Sequence, residues 1–194
     1  MQLVLASSSP YRRALLERLD HAFVVDVPDI DEAPLPAEAP TELVARLSLE
    51  KARAVAPRHS DALIIGSDQV ALFGSTILTK PGTPQRAIEQ LTSMRGATAQ
   101  FLTGICVLNS HTGRHRVAIE RYAVTFRSLT DAAIARYVER DRPLDCAGGF
   151  RAEGLGIALF ERMEGDDPTS LVGLPLIRLV TMLNAEGVDV LGPV

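Results

Sequence analysis

The sequence predicts an α/β protein built around a mixed β-sheet. Apolar strands alternate with amphipathic helices in the first half of the chain, and residues 98–109 and 115–127 alternate as two long strands around a turn. The first pattern favours parallel strands joined by helices, and the second adds an antiparallel hairpin. Neither G-x-G-x-x-G after the first strand nor GxxxxGK[ST] occurs, which disfavours the Rossmann and P-loop classes.

Each element is predicted from the spacing of its apolar residues and from the residues that begin or end it. In the first helix, Ser9 is a good N-cap and Pro10 a good first residue. The predicted order is a strand at 2–6, a helix from Pro10 to about Leu19, a helix after Pro40-Thr41 that stops before Pro57, a strand within 62–73, a helix from Thr83-Pro84 closed by Gly96, the hairpin, a helix capped by Thr130, a strand from Ile157 to Phe160, and a last helix after Gly173-Leu174-Pro175 that ends near Gly187.

The composition is that of an ordinary globular protein. The chain has 194 residues, and 20 basic against 24 acidic side chains give a formal net charge of −4. That charge balance argues against a broad basic surface that would bind duplex nucleic acid. The longest apolar runs fall far short of the roughly 20 residues that span a bilayer, so no transmembrane helix is expected. The N-terminus lacks a signal-peptide pattern, and Cys106 and Cys146 lie far apart without a metal-binding spacing. We therefore expect one cytoplasmic domain over residues 1–194.

Lysine is rare in this chain. Of the 20 basic residues, only Lys51 and Lys80 are lysine, and the others are arginine. Genome base composition explains such a bias for surface residues. A lysine retained in this background is also what a tight phosphate site requires, because a compact ammonium fits where a planar guanidinium does not.

Two segments carry the clearest chemistry. In Ser7-Ser8-Ser9-Pro10-Tyr11-Arg12-Arg13, a polar turn leads into a helix N-terminus, whose free N–H groups suit a phosphate. The alternative is a capped surface helix with solvated arginines.

In Gly66-Ser67-Asp68-Gln69, an aspartate follows an apolar strand, where it can bind Mg²⁺ or take a proton from water. The alternative is an aspartate that caps a turn.

Three further segments are weaker candidates. Lys51 and Lys80 are either phosphate ligands or solvated lysines, and Asp31-Glu32, in a proline-rich loop, is either a metal carboxylate or a solvated acidic loop. The glycines of Arg151-Ala152-Glu153-Gly154-Leu155-Gly156 allow close approach of the backbone to a ligand.

Together these segments resemble one family, the Maf-like nucleoside triphosphate pyrophosphatases. The resemblance rests on motifs in register over roughly residues 3–185. These motifs are LASSSPYRRALL, the acid in DIDE, EKA at 50–52, GSDQV at 66–70, KP at 80–81, FRAEGLG and LVGLPL. Within the family, Tyr11, Gln69 and Glu153 resemble the 7-methyl-GTP pyrophosphatase branch. The chain departs from the family pattern at Thr79, where a glycine is usual.

The resemblance implies a fold of two lobes around a central cleft, related to the inosine triphosphate pyrophosphatases. It also implies cleavage of a nucleoside triphosphate to the monophosphate and pyrophosphate, with a divalent metal (Mg or Mn), and suggests a homodimer. The implied roles are Asp68 as general base, Glu32 and Asp68 at the metal, Ser8, Arg13, Lys51 and Lys80 at the phosphates, and Tyr11, Gln69 and Glu153 at the base.

Two alternatives stay open at this point. The first is a pyrophosphatase with a different base preference, either for dTTP and UTP or broad. The second is a nucleotide-binding regulator of cell division or septum formation. A binding module has no need of a general base, so pyrophosphate release distinguishes it from an enzyme.

Overall fold

The computed structural model describes residues 1–192. Twelve helices and strands in that range carry the fold. They are β1 (Gln2–Ala6), α1 (Pro10–Glu17), β2 (Phe23–Val25), α2 (Pro40–Val55), β3 (Ala62–Phe73), β4 (Thr76–Leu78), α3 (Pro84–Met94), β5 (Thr98–Asn109), β6 (His115–Phe126), α4 (Asp131–Asp141), β7 (Phe160–Glu164) and α5 (Leu176–Ala185). Short 3₁₀ helices occupy Ala56–Arg58, Leu155–Leu159 and Pro168–Val172.

The strands form a mixed sheet, as the sequence predicts. Its order is β2-β1-β3-β5-β6-β7, with β4 paired to β3. Strand β1 is parallel to both β2 and β3, whereas β4 is antiparallel to β3 and β7 is antiparallel to β6. No helix among residues 1–192 is long and apolar enough to cross a membrane.

Three details differ from the sequence prediction. Asp68 lies within β3, because the strand continues through the polar residues to Phe73. The strand predicted from Ile157 to Phe160 is wrong in position. Residues 155–159 form a 3₁₀ helix, and β7 begins only at Phe160. Strand β2 was not predicted, since three residues are too few to show an alternating pattern.

The chain divides into two compact units. The first comprises Met1–Gln69, Thr103–Glu120 and the segment from Thr169 onward, and the second comprises Val70–Leu102 and Arg121–Pro168.

In the first unit, β1 is buried on both faces. Leu3 and Leu5 belong to one apolar cluster, and Val4 and Ala6 belong to another. Side chains alternate across a strand, so this division explains why the strand is a continuous apolar run.

The second unit contains a cluster of four phenylalanines. Phe150 makes edge-to-face contacts with Phe101, Phe126 and Phe160, and the ring centroids are 4.9 to 5.6 Å apart. This geometry is the one aromatic pairs prefer, and it ties three strands to the loop that follows α4.

Candidate active site

Helix α2 lies unusually close to the sheet because two strand residues lack side chains. A Cβ atom on Gly66 of β3 would overlap the backbone oxygen of Ser48, and one on Gly104 of β5 would overlap that of Val44. Glycine is therefore required at both positions. Lys51 lies on the same helix one turn after Ser48, so this close packing brings its side chain to β3.

The charged cluster of the first unit is built around Lys51. Its ammonium lies 2.6 Å from Asp68 Oδ1 and 3.1 Å from Glu32 Oε1, and only 6% of its side chain is exposed. A buried charge must be paired, and here two carboxylates supply the pairing. Three residues predicted from separate motifs, on α2, on β3 and in the proline-rich loop, are thus brought together.

The acidic loop, residues 28–36, carries Glu32 and is tied to α2 by Arg46. The guanidinium binds both carboxylate oxygens of Glu38, at 2.6 and 2.8 Å, and donates to the carbonyl of Ala33 at 3.1 Å. The hydrogen bonds from Arg46 hold the pKa of Glu38 at about 2, and the N–H of Leu35 acts in the same direction. A bidentate pair of this kind fixes geometry as well as charge.

The N-terminus of α1 is formed as the sequence predicts. Ser9 is the N-cap and accepts a hydrogen bond from the N–H of Arg12, and Pro10 is the first helical residue. Ser7 Oγ accepts from the N–H of Ser9 at 3.1 Å, and Ser8 lies exposed directly before the helix.

Two arginines of α1 have different surroundings. Arg12 is half-buried and donates through Nε to the carbonyl of Gly173 at 2.8 Å. Burial lowers the pKa of Arg12, whereas the charges of Asp68 and Glu32 raise it. Arg13, the residue predicted at the phosphates, pairs with Glu17 at 3.0 Å and is 63% exposed.

Both arginines lie in the predicted phosphate segment, but the phosphates were assigned to Arg13, although the helical spacing distinguishes the two residues. Arg12 shares a helical stripe with Leu15 and Leu16, both of which are buried in the core, whereas Arg13 lies four residues before Glu17 on the exposed face. The role assigned to Arg13 stays a prediction.

Gln69 and Tyr11, both predicted to contact the base, lie half-buried in the first unit. The two protons of the Gln69 amide nitrogen are shared among three acceptors, which are Thr103 Oγ1 at 2.9 Å and the carbonyls of Ser170 at 2.7 Å and Leu171 at 3.1 Å.

Lys80 and Glu153 belong to the second unit, and both are exposed. The loop that carries Glu153 is held by Arg151, which binds Asp141 Oδ1 at 2.9 Å, while the N–H of Arg151 donates to the Tyr137 hydroxyl at 3.1 Å. Burial raises the pKa of Tyr137, so this hydroxyl keeps its proton and donates to Asp141.

The donor set of the cluster suits a hard divalent cation that arrives with phosphates. Mg²⁺ binds one or two protein carboxylates and takes its other ligands from water and substrate. Asp68 and Glu32 both bind Lys51, each through one carboxylate oxygen, so the second oxygen of each is the one that could bind such an ion. In residues 1–192 no group of three or more His, Cys, Asp or Glu side chains could hold a metal by itself.

A family model and several curated relatives match nearly the whole chain. The family model described as Maf-like protein matches residues 2–186. The 7-methyl-GTP pyrophosphatases of Pseudomonas aeruginosa and Aromatoleum aromaticum are each 56% identical, over 97% and 96% of this chain and 98% and 96% of the relatives. That of Nitrosococcus oceani is 53% identical over 97% of this chain and 95% of the relative. A solved structure of the Staphylococcus aureus Ham1 protein aligns with a TM-score of 0.47 and 17% identity, covering 66% of this chain and 73% of that one.

Proposed function

This chain belongs to the Maf-like protein family, and we propose that it is a nucleoside triphosphate pyrophosphatase that hydrolyses 7-methyl-GTP. The relatives named for that activity are more than half identical over nearly the full length of both chains. The observation that carries the proposal is the Lys51 ammonium, buried between Asp68 and Glu32. We also propose the cytoplasm as its compartment, on the family resemblance.

The proposed reaction is attack of water on the α-phosphorus. A new bond forms between the water oxygen and the α-phosphorus, the bond from that phosphorus to the α–β bridging oxygen breaks, and pyrophosphate leaves with the electron pair. Asp68 takes the proton of the water as general base, and 7-methyl-GMP is the second product. Lys51 binds Oδ1 of Asp68, which leaves Oδ2 as the oxygen that faces the water.

The cations of the site balance the charge of the triphosphate. Lys51 donates a hydrogen bond to Asp68 Oδ1 and forms an ion pair with Glu32, and we assign a remaining N–H of its ammonium to a phosphate oxygen. The charges of Asp68 and Glu32 raise the pKa of Arg12 against the effect of its burial, which supports Arg12 as a second cation of the same site. We assign Ser8, Arg13 and Lys80 to the phosphates on the family motifs alone.

We also propose that Asp68 and Glu32 hold a divalent metal that enters with the substrate. Such an ion, when bound, neutralises charge on the phosphate oxygens as the pyrophosphate leaves.

The base is assigned to Tyr11, Gln69 and Glu153. N7-methylation gives guanine a positive charge, and a cationic ring is favoured by an aromatic face and by a carboxylate. Tyr11 supplies the face, and Glu153 accepts from N1–H and the exocyclic amine of the base. An arginine at position 11 would repel the methylated base.

The test is pyrophosphate release from 7-methyl-GTP, GTP, dTTP and UTP by the purified protein with Mg²⁺ or Mn²⁺. We expect the largest kcat/KM for 7-methyl-GTP, and a smaller preference in Glu153→Gln and in Tyr11→Arg/Glu153→Gln. Faster release from dTTP and UTP would replace the proposal by the alternative base preference. Binding without release from any of the four would favour the regulator.

A further inference from the structure

The end of the 3₁₀ helix Pro168–Val172, together with Gly173, precedes α5 and receives hydrogen bonds from several side chains of the candidate active site. Three carbonyl groups within residues 170–173, here named the carbonyl turn, accept from Arg12, Ser67, Gln69 and Thr103. Two of these donors, Arg12 and Gln69, are assigned to the substrate. The other two are buried hydroxyls to which the sequence assigns no role.

The carbonyl of Gly173 positions Arg12. It accepts from Arg12 Nε at 2.8 Å and from Ser67 Oγ at 2.9 Å. The Ser67 hydroxyl also lies 2.8 Å from the carbonyl of Gly104, so its single proton is shared between the two carbonyls. Ser67 is fully buried on β3, which anchors the Gly173 carbonyl to the rigid sheet. The guanidinium is thus held at Nε, and we assign its terminal nitrogens to a phosphate.

The carbonyls of Ser170 and Leu171 fix the direction of the Gln69 amide. Because carbonyl oxygens only accept hydrogen bonds, the group that faces them must be the NH₂. Thr103 Oγ1 completes the arrangement, since it accepts from Gln69 Nε2 at 2.9 Å and donates its own proton to the carbonyl of Ser170 at 2.8 Å. These contacts use both protons of the Gln69 nitrogen, so Oε1 is the group that we assign to a ligand.

An acceptor fixed in this way selects a ligand with an N–H or O–H donor. The Watson–Crick edge of a guanine carries N1–H and an amino group, whereas N3–H is the only donor on the edge of a thymine or a uracil. An amide free to flip would offer either an acceptor or a donor and so would discriminate less.

We propose that the carbonyl turn is a template that presets two substrate contacts, with Thr103 as the positioning residue for Gln69 and Ser67 as the positioning residue for Arg12. This rests on the proposed function, because it treats Gln69 and Arg12 as contacts to a nucleotide. The two arms act on opposite ends of the substrate, the base for Thr103 and the phosphates for Ser67, and so have different kinetic signatures.

The kinetic test compares Thr103→Val, Thr103→Ser and Ser67→Ala with the wild type. Losing one such hydrogen bond should cost about 3- to 10-fold. Thr103→Val should lower the ratio of kcat/KM for 7-methyl-GTP over dTTP by that factor, and Thr103→Ser, which keeps the hydroxyl, should preserve the ratio. Ser67→Ala should lower kcat/KM for all nucleotides equally and leave the ratio unchanged.

The matched control is Ser48→Ala. Ser48 is also a fully buried serine of the first unit, but its hydroxyl donates to the carbonyl of Val44 in its own helix. It should leave both the ratio and kcat/KM near the wild-type values. Thermal melts identify any variant that fails to fold, and Thr103→Ala then replaces Thr103→Val.

A second readout needs no turnover. The side-chain signals of Gln69 Nε2 and Arg12 Nε in a ¹⁵N–¹H spectrum should exchange slowly with solvent in the wild type. We expect Thr103→Val to shift and expose the Gln69 signal, and Ser67→Ala to do so for Arg12. Unchanged signals in either variant would overturn its arm of the proposal. A wild type that releases no pyrophosphate would overturn the proposed function instead, and these signals would still decide the positioning.

Discussion

Asp68 is the residue on which the proposed chemistry depends most directly. Replacing it with asparagine keeps the size of the side chain and an oxygen for Lys51, but it removes the proton acceptor. We expect Asp68→Asn to lose about 10²- to 10⁴-fold in kcat, the usual contribution of a general base. The measurement is pyrophosphate release together with a thermal melt, with Asp61→Asn, an exposed residue, as the control. Activity within a few-fold of the wild type would remove Asp68 from the mechanism.

Lys51 tests whether charge alone is enough at this position. Its ammonium fits between carboxylate oxygens at 2.6 and 3.1 Å in a nearly fully buried site, which a wider planar guanidinium cannot enter without displacing Asp68 or Glu32. We expect Lys51→Arg to lose an order of magnitude or more in kcat/KM. The control is Arg136→Lys, which exchanges the same two residue types at an exposed position and should leave kcat/KM unchanged. Full activity in Lys51→Arg would make Lys51 an ordinary structural cation.

For single residues, the sequence was better at identifying which residues belong to the site than at predicting which of them contact one another. Lys51, Asp68 and Glu32 come from three separate motifs, and the structure joins them in one cluster. The phosphates were assigned to Arg13 and not to Arg12, because both arginines of α1 match a phosphate site in composition. Only the face of the helix on which each one lies distinguishes them. The contacts of Gln69 with the turn before α5 could not be predicted, since they join residues about 100 positions apart.

At the scale of elements, the acidic loop depends on its attachment to α2. The Arg46–Glu38 pair lowers the pKa of Glu38 from 4.5 to about 2. Since the folded-state pKa lies below the unfolded-state value, the stabilisation is present above about pH 4.5 and is lost as the pH falls toward 2. The difference in Tm between wild type and Glu38→Gln should therefore be largest near neutral pH and shrink over that interval.

The control for this experiment is Glu17→Gln. Glu17 pairs with Arg13 on the open surface, where ion pairs contribute little, so its effect on Tm should be small at every pH. A Tm difference for Glu38→Gln that stays constant from pH 2 to pH 7 would contradict the assignment of the acid response to this pair.

The starts of three helices were predictable from the sequence, because a capping residue acts on the backbone next to it. Ser9, Thr83 and Thr130 cap α1, α3 and α4, as their sequence positions indicate. The predicted strand boundaries were wrong where contacts with distant residues determine the local conformation. Strand β3 continues through Ser67 because the carbonyls of Gly104 and Gly173 satisfy its hydroxyl. Residues 155–159, which follow Gly154 and include Gly156, form a 3₁₀ helix rather than a strand.

For the whole molecule, the order of the long helices and strands was readable from the sequence, because helical spacing marks the helices and apolar runs mark most of the strands. The sheet order was not readable: β1 joins β2 and β3 through parallel pairing, and nothing local specifies which strands become neighbours. The two-unit division also brings together segments far apart in the chain, such as 1–69 with those from Thr169 onward.

The stability of the folded chain should depend strongly on Phe150. Its ring is nearly fully buried and touches three other phenylalanine rings edge to face, so truncation removes the centre of the cluster and leaves a cavity that fixed strands cannot close. We expect Phe150→Ala to lower the free energy of unfolding by about 3–5 kcal/mol, measured by urea unfolding. Ile177→Ala, at a side chain 60% exposed on α5, should cost far less. A loss below about 1 kcal/mol in Phe150→Ala would mean that the three remaining rings collapse into the space, and that the cluster does not depend on its central member.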